Sequence, residues 1–237
     1  ITGLDEAFIL SKKEAKEKNL EKDILIPYVK PENYEKYSFK TIDKYIIFPY
    51  DCNDKIIEVS KLKKLSNTYA HLFSFKKRLE LRKDSRTTIK EKGLPWYCLM
   101  RRVDPDSLNP EKIIFYDVGA HPNFHYDSLG VVFGGGTSHS LSGHEGYPDK
   151  FLLALLNSKL MEWLIFDICP VKMGKSRKYG LDYIKRLPIK KSDKDTQKKF
   201  VSYIDDILKF KESSLTLKEK FKNRIKEDFE IEKLSKK

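Results

Sequence analysis

In the first part of the chain, some apolar residues form short strand-like runs and others recur at helical spacing. β-branched and aromatic side chains cluster in five short runs, which predict strands at residues 7–10, 45–50, 96–101, 112–118 and 130–133. Leucines and aromatics recur every three or four positions over 60–82, which predicts a helix there, and a charged stretch over 12–22 predicts another. Polar residues over 83–92 and a Gly-, Ser- and His-rich run over 134–146 predict loops.

The second part of the chain is predominantly helical in its pattern. A broad apolar face over residues 149–166, started by Pro148, predicts one helix. Residues 196–210 predict a second helix and residues 215–234 a third, with Ser213 and Ser214 between them. The last helix is amphipathic, so we expect it to pack on a partner, on the body of the protein or against another helix.

This mixture predicts an α+β (mixed α/β) fold with a twisted mixed β-sheet and packed helices. The predicted organisation is one domain over residues 1–190 and a helical extension or arm over residues 191–237. At 237 residues and 40% hydrophobic content the chain is long enough to bury a core.

The ends and the cysteines of the chain bear on its context. The chain begins with Ile1, which leads us to expect a fragment of a longer protein. Cys52, Cys98 and Cys169 are far apart and odd in number, so we expect reduced thiols in a cytoplasmic protein. Every apolar run is interrupted by charged residues before it could cross a bilayer, so no membrane partner is expected.

The net charge of +12 is concentrated in two blocks. Residues 61–102 carry 13 basic and 3 acidic side chains, and residues 172–199 carry 11 and 3. Between them, residues 103–171 carry 3 basic and 9 acidic side chains. Clustered Lys and Arg release counterions from a polyanion on binding, so the blocks indicate nucleic-acid binding. The alternative is a solvated basic face without a partner.

Six segments, taken in order, resemble one family. In chain order, the family's patterns are TGxNEAF, KPyxxGrdixrY, LxxR followed by pWy, pKIi, LLALLNSKL and LPI. This chain departs from the first pattern at Asp5, where Asn is usual. It departs from the second at Ile26, which replaces a Lys, and at Lys30-Pro31, which replaces Arg-Gly. The matching residues here are 2–10, 26–37, 79–97, 112–114, 153–160 and 187–189. The set is similar to the C-terminal specificity domain of Taq-type DNA adenine methyltransferases and type IIG restriction enzymes. Each segment alone is weak, but the order over residues 2–190 is specific.

The resemblance implies a target-recognition domain that binds duplex DNA and positions a separate catalytic domain of the same polypeptide. That domain is expected to be an adenine-specific methyltransferase, with or without a fused nuclease, and to hold the S-adenosylmethionine. This chain lacks the Asn/Asp-Pro-Pro-Tyr/Phe motif that grips the flipped adenine, since Asn109-Pro110 has neither the second proline nor the aromatic. The glycines at 134–136 lack the acidic residue of a cofactor loop, so we expect no cofactor in this chain.

No catalytic or metal-binding residue is predicted in the chain. Asp5 with Glu14 and Lys16 fits only the loosest nuclease spacing, which is common in a chain that is 35% charged. His121 and His125 flank Pro122, which disfavours the helix that would align them on a metal. His139 and His144 lie in the glycine-rich run without a supporting ligand set.

Candidate DNA-binding residues come from the two basic blocks and the glycine-rich run. Cations are expected at phosphates and guanines, and hydroxyls and histidine at base edges. The candidates are Lys76, Lys77, Arg78, Arg82, Arg86, Lys90, Arg101, Arg102, Thr137, Ser138, His139, Lys172, Lys175, Ser176, Arg177 and Lys178. For Arg82 the alternative is a framework role, paired with Glu80 or an acidic residue on a strand.

Two other functions compete with DNA recognition. A protein-interaction module of a phage-defence complex would dock through the helices of residues 195–237, and its basic blocks would be structural. An RNA-binding domain is disfavoured because the chain lacks an aromatic sheet motif of the RNP type. DNA-binding assays separate the first of these from target recognition.

Overall fold

The computed structural model describes residues 1–84, 86–101, 103, 108–133 and 138–229. Arg102 and Thr137, both predicted to bind DNA, lie outside the described residues. Helices and several small sheets alternate along the chain, which confirms the predicted α+β class. No helix among the described residues is long and apolar enough to cross a bilayer.

The helices of the described chain range from one turn to 35 residues. They are α1 (Asp5–Phe8), α2 (Lys12–Glu17), α3 (Val59–Lys64), α4 (Ser66–Ser74), α5 (Lys76–Glu80), α6 (Asp149–Leu156), α7 (Lys159–Ile168), α8 (Leu181–Ile184) and α9 (Lys194–Asp228). Single 3₁₀ turns occur at Lys22–Ile24 and Pro31–Asn33.

The strands are short, with two to five residues each. They are β1 (Ile9–Ser11), β2 (Leu25–Val29), β3 (Lys44–Ile47), β4 (Lys83–Asp84), β5 (Thr87–Thr88), β6 (Lys112–Tyr116), β7 (Val118–Gly119), β8 (Phe124–Asp127), β9 (Val132–Phe133), β10 (Ser138–Leu141), β11 (Val171–Met173) and β12 (Ser176–Lys178).

The chain forms two compact units that exchange segments along the sequence. The first contains Ile1–Asn33, Ile42–Lys112 and Asp127–Ser140, and the second contains Tyr34–Thr41, Ile113–Tyr126 and Leu141–Lys237. Helix α9 therefore belongs to the second unit. The boundary predicted at residues 190/191 stays a prediction.

The first unit is built on the sheet β1-β3-β2-β9. β3 pairs antiparallel with both β1 and β2, and β9 joins the edge of β2 in parallel, with Tyr28 opposite Val132. Buried apolar side chains of this sheet and of α1, α3, α4 and α5 form its core. Ile46, Leu62 and Leu79 are fully buried there, as the strand and helix patterns of the sequence require.

A buried arginine ties three segments of the first unit together. The Arg82 side chain is 6% exposed, and its guanidinium donates to the main-chain oxygens of Leu79, Thr2, Trp96 and Cys98. Its five N–H donors in a fixed fork suit such a set of carbonyl acceptors. The structure therefore gives Arg82 a framework role, although its partners are carbonyls rather than an acidic side chain.

A second buried cation lies at the start of β6. Lys112 Nζ forms an ion pair with Asp127 and donates to the Asn109 oxygen at 2.8 Å. The other contacts of the Asp127 carboxylate are the backbone N–H groups of Leu129 and Val131, each at 2.9 Å. Both side chains are almost fully buried, and the pair is tolerable there because these hydrogen bonds replace water.

The second unit has a separate core in which α6 packs on α9. β6 pairs with β8, and β11, β12 and β7 form a three-stranded antiparallel sheet. Asn157, between α6 and α7, accepts from the Phe124 backbone N–H at 3.2 Å and donates to the Phe124 oxygen at 2.9 Å. The helices are thereby joined to β8.

Several predicted helices have different boundaries in the structure. The helix predicted at residues 60–82 is divided into α3, α4 and α5, and the one predicted at residues 12–22 ends at Glu17. The helix predicted at residues 149–166 is two helices, because Asn157 turns to β8 and the Ser158 side chain caps α7 by accepting from Met161. The two helices predicted around Ser213 and Ser214 are the single helix α9. These serines lie on exposed turns, where serine costs little helix stability.

Predicted strands and loops also differ at specific places. Residues 96–101 form turns rather than a strand, because the Trp96 and Cys98 oxygens accept from Arg82 instead of a neighbouring strand. The predicted loop over 83–92 contains the hairpin β4–β5, and the predicted glycine-rich loop contains β10. Residues 7–10 are split between α1 and β1.

We expect Arg82→Met to lower the free energy of unfolding by about 3 kcal/mol, because it leaves buried carbonyls without donors. Urea unfolding monitored by circular dichroism measures this loss. Arg86→Met, at an exposed position, is the matched control and should change stability by less than about 0.5 kcal/mol. Equal losses in the two variants would contradict the framework role.

His125 should make the stability pH-dependent. Burial lowers its pKa from 6.5 to about 4, against the opposing hydrogen bonds of the Glu35 and Ser38 backbone. Below pH 6.5 His125 is protonated in the unfolded chain but stays neutral in the folded chain. The free energy of unfolding therefore decreases as the pH falls towards 4. Between pH 7 and 5 we expect a loss of about 2 kcal/mol from this group. Burial lowers the pKa of His71 and acts in the same direction.

Urea unfolding at pH 7 and pH 5 measures the effect. His125→Gln should reduce the pH dependence and leave the contribution of His71. A His125→Gln variant with the pH dependence of the native chain would refute this account.

Candidate nucleic-acid interface

The first basic block contains a hairpin whose base is closed by Arg82. Strands β4 and β5 pair Lys83 with Thr88, and the Ile89 N–H donates to the Arg82 oxygen at 2.9 Å. The Arg82 side chain fixes this base to the core, while Arg86 lies exposed in the turn. The hairpin thus presents a cation on a rigid support.

The three cations of α5 differ in whether they form an ion pair. Lys76 Nζ lies 3.8 Å from Glu80 and 5.5 Å from the centroid of the Phe73 ring. Arg78 forms an ion pair with Glu6. Lys77 is exposed, and in the described chain it has no ion pair. Lys77 therefore keeps its full charge for a polyanion, whereas its neighbours are partly neutralised.

Two further predicted cations of this block are exposed. Lys90 follows the β4–β5 hairpin and has no ion pair within the ranges that the structure covers. Arg101 is exposed, and its backbone N–H donates to the Ile1 oxygen at 3.1 Å. Arg82 differs from both, since its guanidinium is buried on main-chain oxygens, and its predicted contact with DNA would require it to leave these partners.

Two of the predicted hydroxyl and histidine contacts, Ser138 and His139, lie on β10. Ser138 and His139 are half-buried strand residues that hold contacts within the protein. A fixed strand position would orient these side chains more firmly than a loop. Their role as base contacts stays a prediction.

The second basic block also forms a hairpin, in the second unit. β11 and β12 are joined by Gly174 and Lys175, and Gly174 has a φ of +54°, which glycine adopts without steric cost. Lys172, Lys175 and Lys178 are exposed and, as far as the structure describes the chain, unpaired. Three free ammonium groups within seven residues suit a phosphate backbone.

The remaining members of the second block support this hairpin. Arg177 donates to the Cys169 oxygen at 2.7 Å, and its guanidinium carbon lies 5.1 Å from the centroid of the Phe166 ring. Ser176 is half-buried on β12. Tyr179 donates through its hydroxyl to the Gly119 oxygen at 2.9 Å. Arg177 holds the hairpin, so its predicted contact with DNA would require it to leave these partners.

The thiols and histidines near the two cores have the following pKa values and partners. Burial raises the pKa of the Cys169 thiol to about 11 and also raises that of Cys98, so both are protonated at neutral pH. The described residues contain no group of three or more His, Cys, Asp or Glu side chains that could hold a metal ion. His121 Nδ1 lies 2.8 Å from Glu162, and His125 contacts the backbone of Glu35, so the two histidines have separate partners.

One feature of the second hairpin was missed by sequence reasoning. Met173 is 80% exposed and Val171 is 60% exposed, although both are apolar. The sequence does contain a signal for the hairpin that exposes them, namely Gly174-Lys175 between two three-residue runs, since two-residue loops with glycine are typical of tight hairpins.

Comparison with known proteins identifies the fold family. A search of curated proteins finds no match for the chain. The family model described as the TaqI-like C-terminal specificity domain matches residues 26–189, which is more than half of the chain. This confirms the resemblance carried by the ordered segments and implies DNA target recognition in a methyltransferase context. The chain therefore belongs to the TaqI-like C-terminal specificity domain family.

Proposed function

We propose that the two hairpins β4–β5 and β11–β12 contact duplex DNA and that the chain thereby positions a separate adenine-methyltransferase domain. The observation that carries this proposal is the exposure of cations that have no ion pair among the described residues, on hairpins whose bases are fixed by arginines. Arg86 and Lys175 lie at the two turns, and Arg82 and Arg177 fix the supports.

Cations held in place bind a polyanion at a low entropic cost. The stem of each hairpin is already ordered before binding, so fewer backbone rotations must be frozen on the DNA. Phosphate contacts of this kind set register and orientation, and base-edge contacts add the sequence preference. We assign the phosphate contacts to Lys77, Arg86, Lys90, Lys172 and Lys175.

The proposed parent is a site-specific adenine methyltransferase of a cytoplasmic type II restriction-modification system. Its catalytic domain would hold S-adenosylmethionine and carry the Asn-Pro-Pro-Tyr motif that this chain lacks. A fused nuclease domain is compatible with the same arrangement. The isolated chain would bind DNA without transferring a methyl group.

The chain should bind random-sequence duplex DNA with an affinity that falls steeply as salt rises. Each of Arg86→Ala and Lys175→Ala should reduce the slope of log affinity against log salt by about 0.9, because each removes one phosphate contact. Fluorescence anisotropy across a salt titration measures both slopes.

Lys13→Ala is the matched control. Lys13 is exposed on α2, outside both basic blocks, and lies 3.6 Å from Glu17. Its removal should leave the slope unchanged. A native slope near zero, or a slope that neither hairpin variant alters, would contradict the proposal.

A second candidate function, protein docking through α9, is favoured by an exposed apolar stripe on that helix. Its positions recur alternately three and four residues apart, which is the spacing of a left-handed coiled coil. They are Phe200, Tyr203, Ile207, Phe210, Ser214, Leu217 and Phe221, of which Ile207 is half-buried against the core of the second unit and Ser214 is polar. Phe210, Leu217 and Phe221 are each at least 66% exposed, whereas Ile204 on the adjacent face is buried in the core of the second unit.

The partner we propose for this stripe is α9 of a second copy, in antiparallel orientation. Centred near residue 212, this pairing sets Ile207 opposite Leu217, which are both apolar, and Phe210 opposite Ser214, where a large side chain meets a small one. A cleft of about 320 Å³ beside the stripe, with Ile207 and Phe210 in its wall, offers room for the partner.

Charges flanking the stripe agree with the antiparallel pairing. Lys199 would face Glu227 of the second copy, and Asp206 would face Lys220. At the centre of the pairing, Lys211 would face Lys211 of the second copy. Its ammonium group lies 2.7 Å from Glu35, and this ion pair offsets the repulsion.

Light scattering coupled to size-exclusion chromatography should give twice the mass of one chain at high concentration. Phe221→Glu should return the mass to that of one chain, because it buries a charge in the apolar stripe. Asn223→Glu adds the same charge beside the stripe and should leave the dimer intact. A native chain that stays monomeric, or a dimer that survives Phe221→Glu, would refute this pairing.

A further inference from the structure

The tip of the β11–β12 hairpin combines an exposed apolar side chain with free cations. Met173 directly precedes the turn and is 80% exposed, and Val171 is 60% exposed two residues earlier. Lys172, Lys175 and Lys178 are exposed around them. At this exposure Met173 buries little apolar surface within the described chain, so its side chain contributes little to stability and is available to a partner.

The position of the hairpin in its sheet leaves this tip accessible. β11 is an edge strand that pairs with β12, and β12 pairs in turn with β7. The register of β11 shifts by one residue between Val171 and Met173, which marks a bulge. Bulges bend an edge strand and re-aim its side chains.

The support of the hairpin is stiff although its tip is exposed. The Lys178 N–H donates to the Pro170 oxygen at 3.0 Å, and the Tyr179 N–H donates to the Asp117 oxygen at 2.5 Å. The Arg177 guanidinium on the Cys169 oxygen adds a third tie at the base. Met173 is therefore presented in a fixed place rather than on a loose loop.

The chemistry of the tip selects its partner. An apolar protein surface would leave three ammonium groups without compensation, whereas duplex DNA offers phosphates at both margins of a groove and apolar base and sugar surface at its floor. A two-stranded ribbon fits a groove, and methionine is among the side chains that separate base steps. In a DNA groove the lysine ammonium groups and the apolar Met173 side chain would therefore both find partners.

Resting on the proposed DNA contact of this hairpin, we propose that Met173 enters a DNA groove and wedges against a base step. Lys172 and Lys175 hold the phosphates beside the groove, and the Met173 thioether packs on the partly unstacked bases. The deformation adds a sequence preference, because the energy needed to unstack a step depends on its bases.

The test uses duplexes that the native chain retains from a random-sequence pool, with 2-aminopurine placed at each step in turn. The native chain should raise the fluorescence at one step, because unstacking relieves its quenching. Met173→Ala should abolish that rise and weaken binding about tenfold, with an unchanged salt slope since no charge is removed. Lys175→Ala should instead reduce the slope.

Two variants act as controls. Met173→Leu should retain the fluorescence rise, because leucine is also an apolar wedge of similar size. Leu129→Ala truncates a side chain that is 61% exposed outside the hairpin and should change neither readout. Circular dichroism should give the same melting temperature for the native chain and for Met173→Ala.

Each outcome separates the wedge from the proposed function. A native chain that retains no duplex overturns both. A native chain that binds with a steep salt slope but raises no fluorescence, or a Met173→Ala variant that keeps the rise, overturns the wedge and leaves DNA recognition standing.

Discussion

The fold of the first unit depends on the buried guanidinium of Arg82. Its hydrogen bonds to main-chain oxygens of Thr2, Trp96 and Cys98 join segments that are far apart in sequence. A planar fork with five donors can satisfy more carbonyls at once than any other side chain. Because the same residue closes the base of β4–β5, the clamp that holds the core also aims a hairpin outward.

Arg177 has a comparable role in the second unit. It donates to the Cys169 oxygen and lies over the Phe166 ring, at the base of a hairpin that carries exposed lysines. In both units an arginine from a basic block supports the hairpin, while another cation, Arg86 or Lys175, is exposed at its turn. Charge density along the sequence thus predicts the segments that contact DNA, although it does not separate buried, supporting arginines from exposed ones, since burial decides between these roles.

The hydrophobic pattern predicted most elements of the fold, and two of those that it misplaced are controlled by a distant hydrogen bond. Residues 96–101 are strand-like in composition, yet their carbonyls face Arg82 and no sheet forms. The apolar run over 149–166 has one helical period, but Asn157 bonds to Phe124 on β8 and divides it. Ser213 and Ser214 predicted a break, which α9 does not have because exposed serines cost a helix little.

The sequence alone determined the α+β class, the two basic blocks and the specificity-domain family, because periodicity, charge and ordered motifs are local properties that tertiary contacts do not alter. Only the tertiary structure decided which cations are free, that Lys112 is a buried partner of Asp127, and that Met173 stands exposed among lysines. Burial and pairing depend on residues far away along the chain. A sequence pattern therefore locates the charged segments, and the fold determines which of their side chains are buried, paired or exposed.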